Sequence, residues 1–336
     1  MEYEPEREGG PAASETAEPY HIPVLKEEVV EELVTDTGGI YVDGTLGGGG
    51  HTEAILERLS PAGRVIGIDR DPEALERCRE RFDGHEGRLT LIKGNYSEVD
   101  SLLKGLGIKE VTGVLLDLGV SSRQLDEGER GFSFMRSGPL DMRMGDEGVT
   151  AARLVNTLPE MELKKLFYEY GEESRAPRAA RAIAAAREKK PFETTGELAA
   201  TIEKALGRRG GKHPATKVFQ ALRIAVNREL EGLKKFLEVF TDILEEGGRV
   251  AIITYHSLED RMVKRALRDM EPHCICPPAA PVCTCGEPGV MRVLTRKAVK
   301  PARREIEANP RARSAKLRIA EIFAKEAGGT NEQRTH

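Results

Sequence analysis

Two carboxylates, Asp43 and Asp69, and the glycines between them are the residues whose types and spacing best suit nucleoside binding. A β-forming run ends at Asp43 and breaks into a glycine-rich loop, 44–50, after which apolar residues recur at helical spacing. Glycine lets the backbone turn sharply and approach a ligand, and the N-terminus of the next helix offers free amides. A second apolar run ends at Asp69, where a carboxylate can accept hydrogen bonds from ribose hydroxyls. The pattern therefore predicts the nucleotide half-site of an open α/β sheet.

Three ligands compete for this loop, and a purely structural glycine turn is the alternative to all of them. A triphosphate-binding P-loop needs Lys before Ser or Thr, and Gly50-His51-Thr52 lacks it. A dinucleotide fold calls for Gly-x-Gly-x-x-Gly, which consecutive glycines match poorly, so an NAD-dependent oxidoreductase is a rival that the loop disfavours. S-adenosylmethionine carries a ribose, an adenine and an amino-acid end but no phosphate. It calls for an acid ending the first strand, open backbone in the loop and an acid for the ribose, and the sequence supplies all three.

Apolar runs predict the strands of a doubly wound sheet in an α/β fold. The predicted strands are 40–43, 64–69, 89–96, 111–119 and 249–256. Ligands in such sheets gather beyond the carboxyl ends of the strands. The side chains predicted at those ends are Asp43, Asp69, Tyr96, Asp117 and His256.

The β pattern disappears in the middle of the chain. An irregular, glycine-rich stretch, 131–144, comes first, and a long amphipathic helix is predicted over 214–246, stopped by Gly247 and Gly248. The helices predicted between them are 151–158, 159–170, 176–189 and 195–206. We expect them to form an insertion that roofs the active site and grips a large substrate, the alternative being a merely structural cover.

The predicted organisation is a discontinuous α/β domain with an inserted helical domain and two disordered tails. The α/β domain is expected over 21–130 and 213–325, and the insertion over 131–212. The acidic tail 1–20 contains six Glu and one Arg, which accounts for the whole net charge of −5, and residues 326–336 form the second tail. No apolar run approaches the roughly 20 residues of a membrane helix, so we expect a cytoplasmic protein without a membrane partner.

Clusters of basic residues favour a nucleic acid partner, although solvated helix faces look similar. Arginines recur near helical spacing on one predicted helix, 176–189, and a basic loop follows at 208–213. The largest cluster comprises Arg292, Arg296, Lys297, Lys300, Arg303, Arg304, Arg311, Arg313, Lys316 and Arg318. With no Trp and 5% aromatic residues, the chain is expected to use shape and phosphate contacts and to take one base into a pocket.

Two Cys-x-Cys pairs across a proline-rich turn form a candidate structural zinc site. The four thiols belong to Cys274, Cys276, Cys283 and Cys285. Thiolates in that number suit tetrahedral Zn²⁺, but the usual spacing is Cys-x₂-Cys, so a loop with free thiols is the alternative.

If the cofactor donates a methyl group, the end of the fourth strand decides the acceptor. Carbon-5 methylation of a pyrimidine needs a Cys nucleophile, and none is near Asp117 in the sequence. An exocyclic amine needs acceptors that turn its lone pair toward the sulfonium methyl at about 3–3.5 Å. Asp117 suits that role.

Longer motifs give the sequence a family resemblance. They are His21–Leu25, Asp43–His51, Asp69–Pro72, Leu116–Ser122, Gln124–Asp126, Arg130–Met135, Gly138–Met144, His213–Thr216, His256–Arg261 and Asn309–Ser314. On these residues the chain resembles the bacterial 16S ribosomal RNA (cytosine-N4)-methyltransferase family of the MraW type.

The resemblance implies a class I, Rossmann-like methyltransferase fold that carries a helical insertion. It also implies S-adenosylmethionine-dependent methylation of the N4 amine of a decoding-centre cytidine in 16S rRNA of the small ribosomal subunit. The implied cofactor contacts are Gly49, Gly50, His51, Asp69, Tyr96, Asp117 and Gln124. On the substrate side Asp117 is the main candidate, and Ser121, Asp141 and His256 are weaker ones. The rival is a non-catalytic RNA-binding assembly factor, and the oligomeric state is left open, with a homodimer as one option.

Overall fold

The computed structural model describes residues 23–85, 87–120, 128–208, 211, 213–274, 276, 282 and 289–323. Its strands are β1 (Ile40–Asp43), β2 (Arg64–Asp69), β3 (Leu89–Lys93), β4 (Val111–Asp117), β5 (Leu244–Thr254), β6 (Met291–Val293) and β7 (Lys316–Ile322). They form one sheet in the order β3-β2-β1-β4-β5-β7-β6, in which β7 runs antiparallel to both of its neighbours. The predicted doubly wound α/β fold is therefore confirmed.

Some helices cover the two faces of this sheet, and others form a separate core. The helices are α1 (Lys26–Leu33), α2 (Gly50–Arg58), α3 (Pro72–Arg81), α4 (Val99–Gly105), α5 (Ala151–Thr157), α6 (Glu160–Glu169), α7 (Ala176–Arg187), α8 (Thr195–Leu206), α9 (Thr216–Asn227), α10 (Glu229–Ile243), α11 (Ser257–Asp269) and α12 (Arg303–Ala308). Leu33 and Ile55 pack on one face with α1 and α2, while Phe236 and Val263 pack on the other with α10 and α11. Strand β4 is apolar up to its last residue because both of its faces are covered.

A third hydrophobic core lies among the helices of the middle of the chain. Phe167, Ile183 and Ile202 are fully buried in it, on α6, α7 and α8. Helix α9 contributes Leu222 to the same core. The irregular stretch 131–144 crosses this region without forming a helix or a strand of the sheet, as predicted, and Pro139 makes an isolated bridge to Thr194.

The prediction of one long helix over 214–246 is wrong. Arg228 adopts the left-handed conformation, with φ 52° and ψ 39°, and separates α9 from α10. The apolar spacing continues through this break, since both helices bury one face, so periodicity alone does not reveal the turn. The last predicted strand also begins earlier, at Leu244, because residues around Gly247 (φ 77°) are absorbed as an irregularity in the β4–β5 pairing.

The boundaries of β3, β4 and β5 differ from the sequence prediction, as do two whole strands. Strand β3 ends at Lys93, and Tyr96 opens a 3₁₀ turn, Tyr96–Glu98, that the Asn95 side chain caps. Strands β6 and β7 were not predicted, because they lie within the most basic part of the sequence and alternate apolar with charged residues.

Candidate functional site at the carboxyl edge of the sheet

The loop between β1 and α2 has the backbone conformations that glycine allows. Gly47 and Gly49 have φ of 52° and 76°. A Cβ on Gly49 would lie 2.6 Å from Cε2 of Phe82, so a side chain there is excluded by space as well as by conformation. Helix α2 begins at Gly50, and its first-turn amides therefore face the carboxyl edge of the sheet.

Asp69 ends β2 and is tied to this loop. Its Oδ2 accepts a hydrogen bond from the Gly47 amide at 2.7 Å, and its Oδ1 accepts one from the Asp71 amide at 2.8 Å. Burial raises the pKa of Asp69 to about 6, and the two amides oppose that rise. Each carboxylate oxygen can accept a further hydrogen bond, which leaves capacity for a ligand's hydroxyls.

Asp43, the other acid of the sequence pattern, is a structural residue in this arrangement. It is 1% exposed, accepts a hydrogen bond from Thr52 Oγ1 at 2.7 Å and one from the Thr45 amide at 3.2 Å. Burial raises its pKa, and the nearby His51 and Thr52 oppose the rise. The side chain therefore fixes the two ends of the glycine loop.

Asp117 ends β4 and lies next to the loop. Its Oδ1 accepts a hydrogen bond from the Tyr255 hydroxyl at 2.8 Å, and its Oδ2 lies 3.6 Å from Nε2 of His51. Its amide donates to Thr45 Oγ1 at 2.6 Å. The carboxylate keeps a quarter of its surface exposed and so can reach a ligand.

Tyr255 is a candidate site residue that the sequence analysis does not name. It follows β5 directly, one residue before His256, which the sequence analysis names at the end of this strand. Burial raises the pKa of the Tyr255 hydroxyl well above its usual value, and the charge of Asp117 raises it further. The hydroxyl therefore stays protonated and donates to Asp117.

His51 has unsatisfied hydrogen-bonding capacity inside this site. The residue is 6% exposed, and neither of its ring nitrogens has a hydrogen-bond partner among the described residues. Buried polar atoms without a partner are rare in folded proteins. The position beside Asp117 and the glycine loop makes a bound polar ligand the natural partner for the ring.

Tyr96 lies on the other side of the loop. A Cβ on Gly44 would lie 3.1 Å from Cβ of Tyr96, and the Tyr96 ring packs edge-on against Phe236 at 6.1 Å. Its hydroxyl donates to the backbone carbonyl of Glu229 at 3.4 Å. The ring is thus held half-buried beside the glycine loop, where an adenine can pack against it.

His256 is occupied as the N-cap of α11. Its Nδ1 accepts a hydrogen bond from the Glu259 amide at 3.4 Å, and its Nε2 lies 3.0 Å from Oε1 of Glu259. The other oxygen of Glu259 accepts from the Tyr255 amide at 3.0 Å. The geometry therefore gives His256 a positioning role for the Tyr255 backbone.

Glu229, His256 and Glu259 place three potential metal-ligand atoms within 4.8 Å of one another. Arg223 of α9, however, bonds both carboxylate oxygens of Glu229, at 2.9 and 2.8 Å. Burial raises the pKa of Glu259, but the His256 contacts and, to a smaller extent, the Arg223 guanidinium outweigh it and lower the pKa. The Arg223 guanidinium already balances the charge of these carboxylates, so we do not assign the cluster to a metal.

Asp141 is held by its own neighbour. Arg143 bonds its two oxygens at 2.8 and 2.7 Å, and against burial these contacts lower the pKa of Asp141. The segment around it is fastened beside Asp69, because Arg130 reaches Asp71 at 3.1 Å and the carbonyl of Met144 at 3.1 Å. The described contacts do not bring the Asp141 carboxylate to Asp117.

Four predicted site residues lie outside the described residues: Ser121, Gln124, Cys283 and Cys285. Of the other two thiols, Cys274 is exposed and Cys276 is half-buried. The four-thiolate zinc site is thus a prediction from the sequence alone.

The arginines of α7 are used within the helical region. Arg175, Arg178 and Arg187 donate to backbone carbonyls of Leu206, Ala205 and Val155, at 2.9, 2.7 and 2.7 Å. Carbonyls at the C-terminus of a helix lack intrahelical partners, so these side chains cap neighbouring helices. Their helical spacing therefore does not indicate a phosphate-binding face.

A doubly wound sheet with this glycine loop, an acid at the end of β2 and a partly exposed acid at the end of β4 defines a Rossmann-like methyltransferase. The chain belongs to the MraW methylase family, whose model matches residues 18–323.

Two relatives illustrate the similarity. "Ribosomal RNA small subunit methyltransferase H" of Brevibacillus brevis is 49% identical over 306 residues, which cover 90% of this chain and 98% of the relative. The protein of the same name from Syntrophus aciditrophicus is 51% identical over 306 residues, covering 90% and 97%. Across the described part of the chain, every helix is too short or too polar to span a membrane.

Proposed function

We propose that this chain transfers a methyl group from S-adenosylmethionine to the N4 amine of a cytidine in the decoding centre of 16S rRNA, on the small ribosomal subunit. Membership of the MraW methylase family supports methyl transfer, and the names of the relatives support small-subunit rRNA as the substrate. Such an enzyme would work in the cytoplasm.

The described residues fit the methyl donor. Asp69 would accept hydrogen bonds from the ribose hydroxyls, and the Tyr96 ring would flank the adenine. Gly49, Gly50 and the orphaned ring nitrogens of His51 would meet the polar amino-acid end. Gln124 is proposed from the family pattern. When bound, the donor supplies an electrophilic methyl on a sulfonium sulfur.

The observation that carries the choice of acceptor is the Asp117 carboxylate, which accepts a hydrogen bond from Tyr255 and lies 3.6 Å from Nε2 of His51. Tyr255 fixes one oxygen, and the partly exposed carboxylate can accept an N–H of the target amine. Holding that N–H rotates the nitrogen lone pair out of the ring plane and toward the methyl, so that positioning lowers the barrier. After transfer the nitrogen loses one proton to water or to a nearby acceptor. We propose no step for Ser121, Asp141 or His256.

Methylation at carbon 5 is disfavoured by the state of Cys78. That reaction needs a thiolate nucleophile. Burial raises the pKa of the Cys78 thiol to about 12. The thiol contacts the Gly47 carbonyl at 3.5 Å. The thiol is therefore neutral, and its described hydrogen bond is to the glycine loop.

The test is methyl transfer to purified small subunits from a strain that lacks this enzyme, with the modified nucleoside identified by mass spectrometry. We expect N4-methylcytidine at one position, and we expect Asp117→Asn to lower kcat by at least about a hundredfold. A methyl on carbon 5, or none on rRNA while the protein binds the donor, would refute the proposal.

A further inference from the structure

The connection between β6 and β7 reaches the carboxyl edge of the sheet beside the candidate site. Strand β7 is antiparallel to β5, and its first residue, Lys316, pairs with Thr254, the last residue of β5. Tyr255 is the next residue after that pair. The chain leading into β7 therefore passes next to the Asp117–Tyr255 contact.

Helix α12, in the same connection, is fastened to the start of the described chain. Oε1 of Glu305 accepts a hydrogen bond from the Leu25 amide at 2.8 Å. Two residues earlier, a Cβ on Gly50 would lie 3.1 Å from Cδ of Pro23, so this junction adjoins the glycine loop. Burial is the main cause of the raised pKa of Tyr255, followed by Asp117, and the charge of Glu305 makes a smaller contribution.

This connection carries five cations that we call the basic rim. They are Arg296, Lys297, Lys300, Arg304 and Arg313. All five are exposed, and none has an acidic group within 4.0 Å among the residues that the structure describes. Buried residues anchor the backbone of this segment to the core: Pro301 and Ala312 between the cations, and Ala315 just after them.

Other basic residues of the region are already paired. Arg318 and Lys316 bond Asp260, at 2.8 and 2.7 Å. Arg292 bonds Glu321 at 2.6 Å. Among the described residues, the rim therefore differs from its surroundings in having exposed cations without a carboxylate partner next to the site.

We infer that the basic rim binds backbone phosphates of the RNA that flanks the target nucleotide, an inference that rests on the proposed function. Lys and Arg neutralise phosphates without reading base sequence. Residues 296–313 contain no aromatic side chain, so stacking on bases is not available to them. The rim would hold the strand while the target base enters the cleft between the glycine loop and Asp117.

The experiment replaces all five rim residues by Gln and measures the affinity for small subunits over a range of KCl concentrations. The matched control removes five exposed lysines from the opposite face of the sheet, at Lys104, Lys109, Lys234, Lys235 and Lys264. We expect the rim variant to bind at least about tenfold more weakly. The slope of log Kd against log salt concentration should fall by about 0.7–0.9 for each phosphate that the rim no longer neutralises. The control variant should behave like the wild type in both measurements.

Donor binding and methyl transfer separate the two proposals. The rim variant should bind S-adenosylmethionine like the wild type and show a raised KM for subunits. A variant with Arg296→Lys, Arg304→Lys and Arg313→Lys keeps the charge and should keep the salt dependence. If the wild type methylates subunits and the rim variant matches the control, the rim has no such role. If the wild type transfers no methyl to subunits, the proposed function itself fails.

Discussion

Burial brings the pKa of Asp69 close to the neutral pH range. Because the carboxyl is taken out of water, its pKa is raised to about 6, so it binds a proton more readily than a free aspartate. Above that pH the carboxylate is ionised and can accept from ribose hydroxyls, and below it the acid is neutral.

The first prediction concerns donor affinity as a function of pH. With a pKa of about 6, only about a tenth of Asp69 is ionised at pH 5, so donor affinity should be about tenfold lower there than at pH 7. Calorimetry on the wild type measures this, and Asp69→Asn should bind weakly with little change over that range. We also expect Asp69→Ala to abolish detectable binding; unchanged affinity in that variant would refute the ribose assignment.

The second prediction concerns Tyr255. Tyr255→Phe removes the hydroxyl that fixes one oxygen of Asp117, and hydrogen bonds to charged groups contribute about 1.5–3 kcal/mol, discounted here for partial exposure. We expect kcat to fall about tenfold while the donor Kd stays within about threefold. The matched control is Tyr41→Phe, whose hydroxyl donates to the Asp36 carbonyl at 2.8 Å away from the site. Wild-type kcat in Tyr255→Phe would show that Asp117 needs no such support.

At the scale of elements, the turn between α9 and α10 decides where the two helices point. Arg228 provides that turn with a positive φ, which costs a residue with a Cβ about 1–2 kcal/mol relative to the right-handed region. Its side chain pairs with the exposed Glu231, three residues further along the chain. The backbone at Arg228 is therefore strained, and the exposed ion pair with Glu231 does not depend on that strained conformation.

The third prediction is that Arg228→Gly raises the free energy of unfolding by about 0.5–1 kcal/mol, because glycine adopts this conformation without strain but loses more entropy on folding. Arg228→Ala removes the same side chain and keeps the strain, so it should be no more stable than the wild type. Urea unfolding followed by circular dichroism compares the three proteins. Equal stability of the Gly and Ala variants would contradict the strain argument.

At the scale of the whole molecule, one buried ion network joins the helical core to the sheet. Arg223 extends from α9 to Glu229, and Glu259 holds the backbone of Tyr255 at the end of β5. The backbone carbonyl of Glu229 also accepts a hydrogen bond from the Tyr96 hydroxyl. The same few groups therefore connect the helices that would face the substrate with both sides of the candidate cleft.

The fourth prediction is that Arg223→Met lowers the free energy of unfolding by about 3–5 kcal/mol, since it leaves buried carboxylates without their cation. The matched control is Arg228→Met, which breaks an exposed pair with Glu231 and should cost less than about 1 kcal/mol. Chemical denaturation measures both. A cost for Arg223→Met as small as the control's would mean that water, not Arg223, balances the carboxylates.

Local patterns were sufficient for several elements of the site. The glycine loop, Asp69 and Asp117 can be predicted because glycine-rich turns and the ends of strands produce recognisable patterns over a few residues. The five parallel strands are readable because strands buried on both faces are continuously apolar. Helix ends with Thr caps, as at α8, were predicted to within a residue.

Other features depend on residues far apart in the chain. The break at Arg228 and the strands β6 and β7 escaped prediction because their apolar spacing is ambiguous without a packing partner. The arginines of α7 looked like a phosphate-binding face because periodicity does not show which carbonyls lie opposite.

The class of fold, the glycine loop and the acids at the strand ends can be predicted from the sequence, since each depends on conformational preferences and burial patterns of neighbouring residues. The contact of Tyr255 with Asp117, the burial of Asp43 and the lack of a carboxylate beside the rim cations among the described residues are visible only once the chain is folded. Those outcomes depend on distances between side chains up to 138 residues apart, which no local pattern encodes.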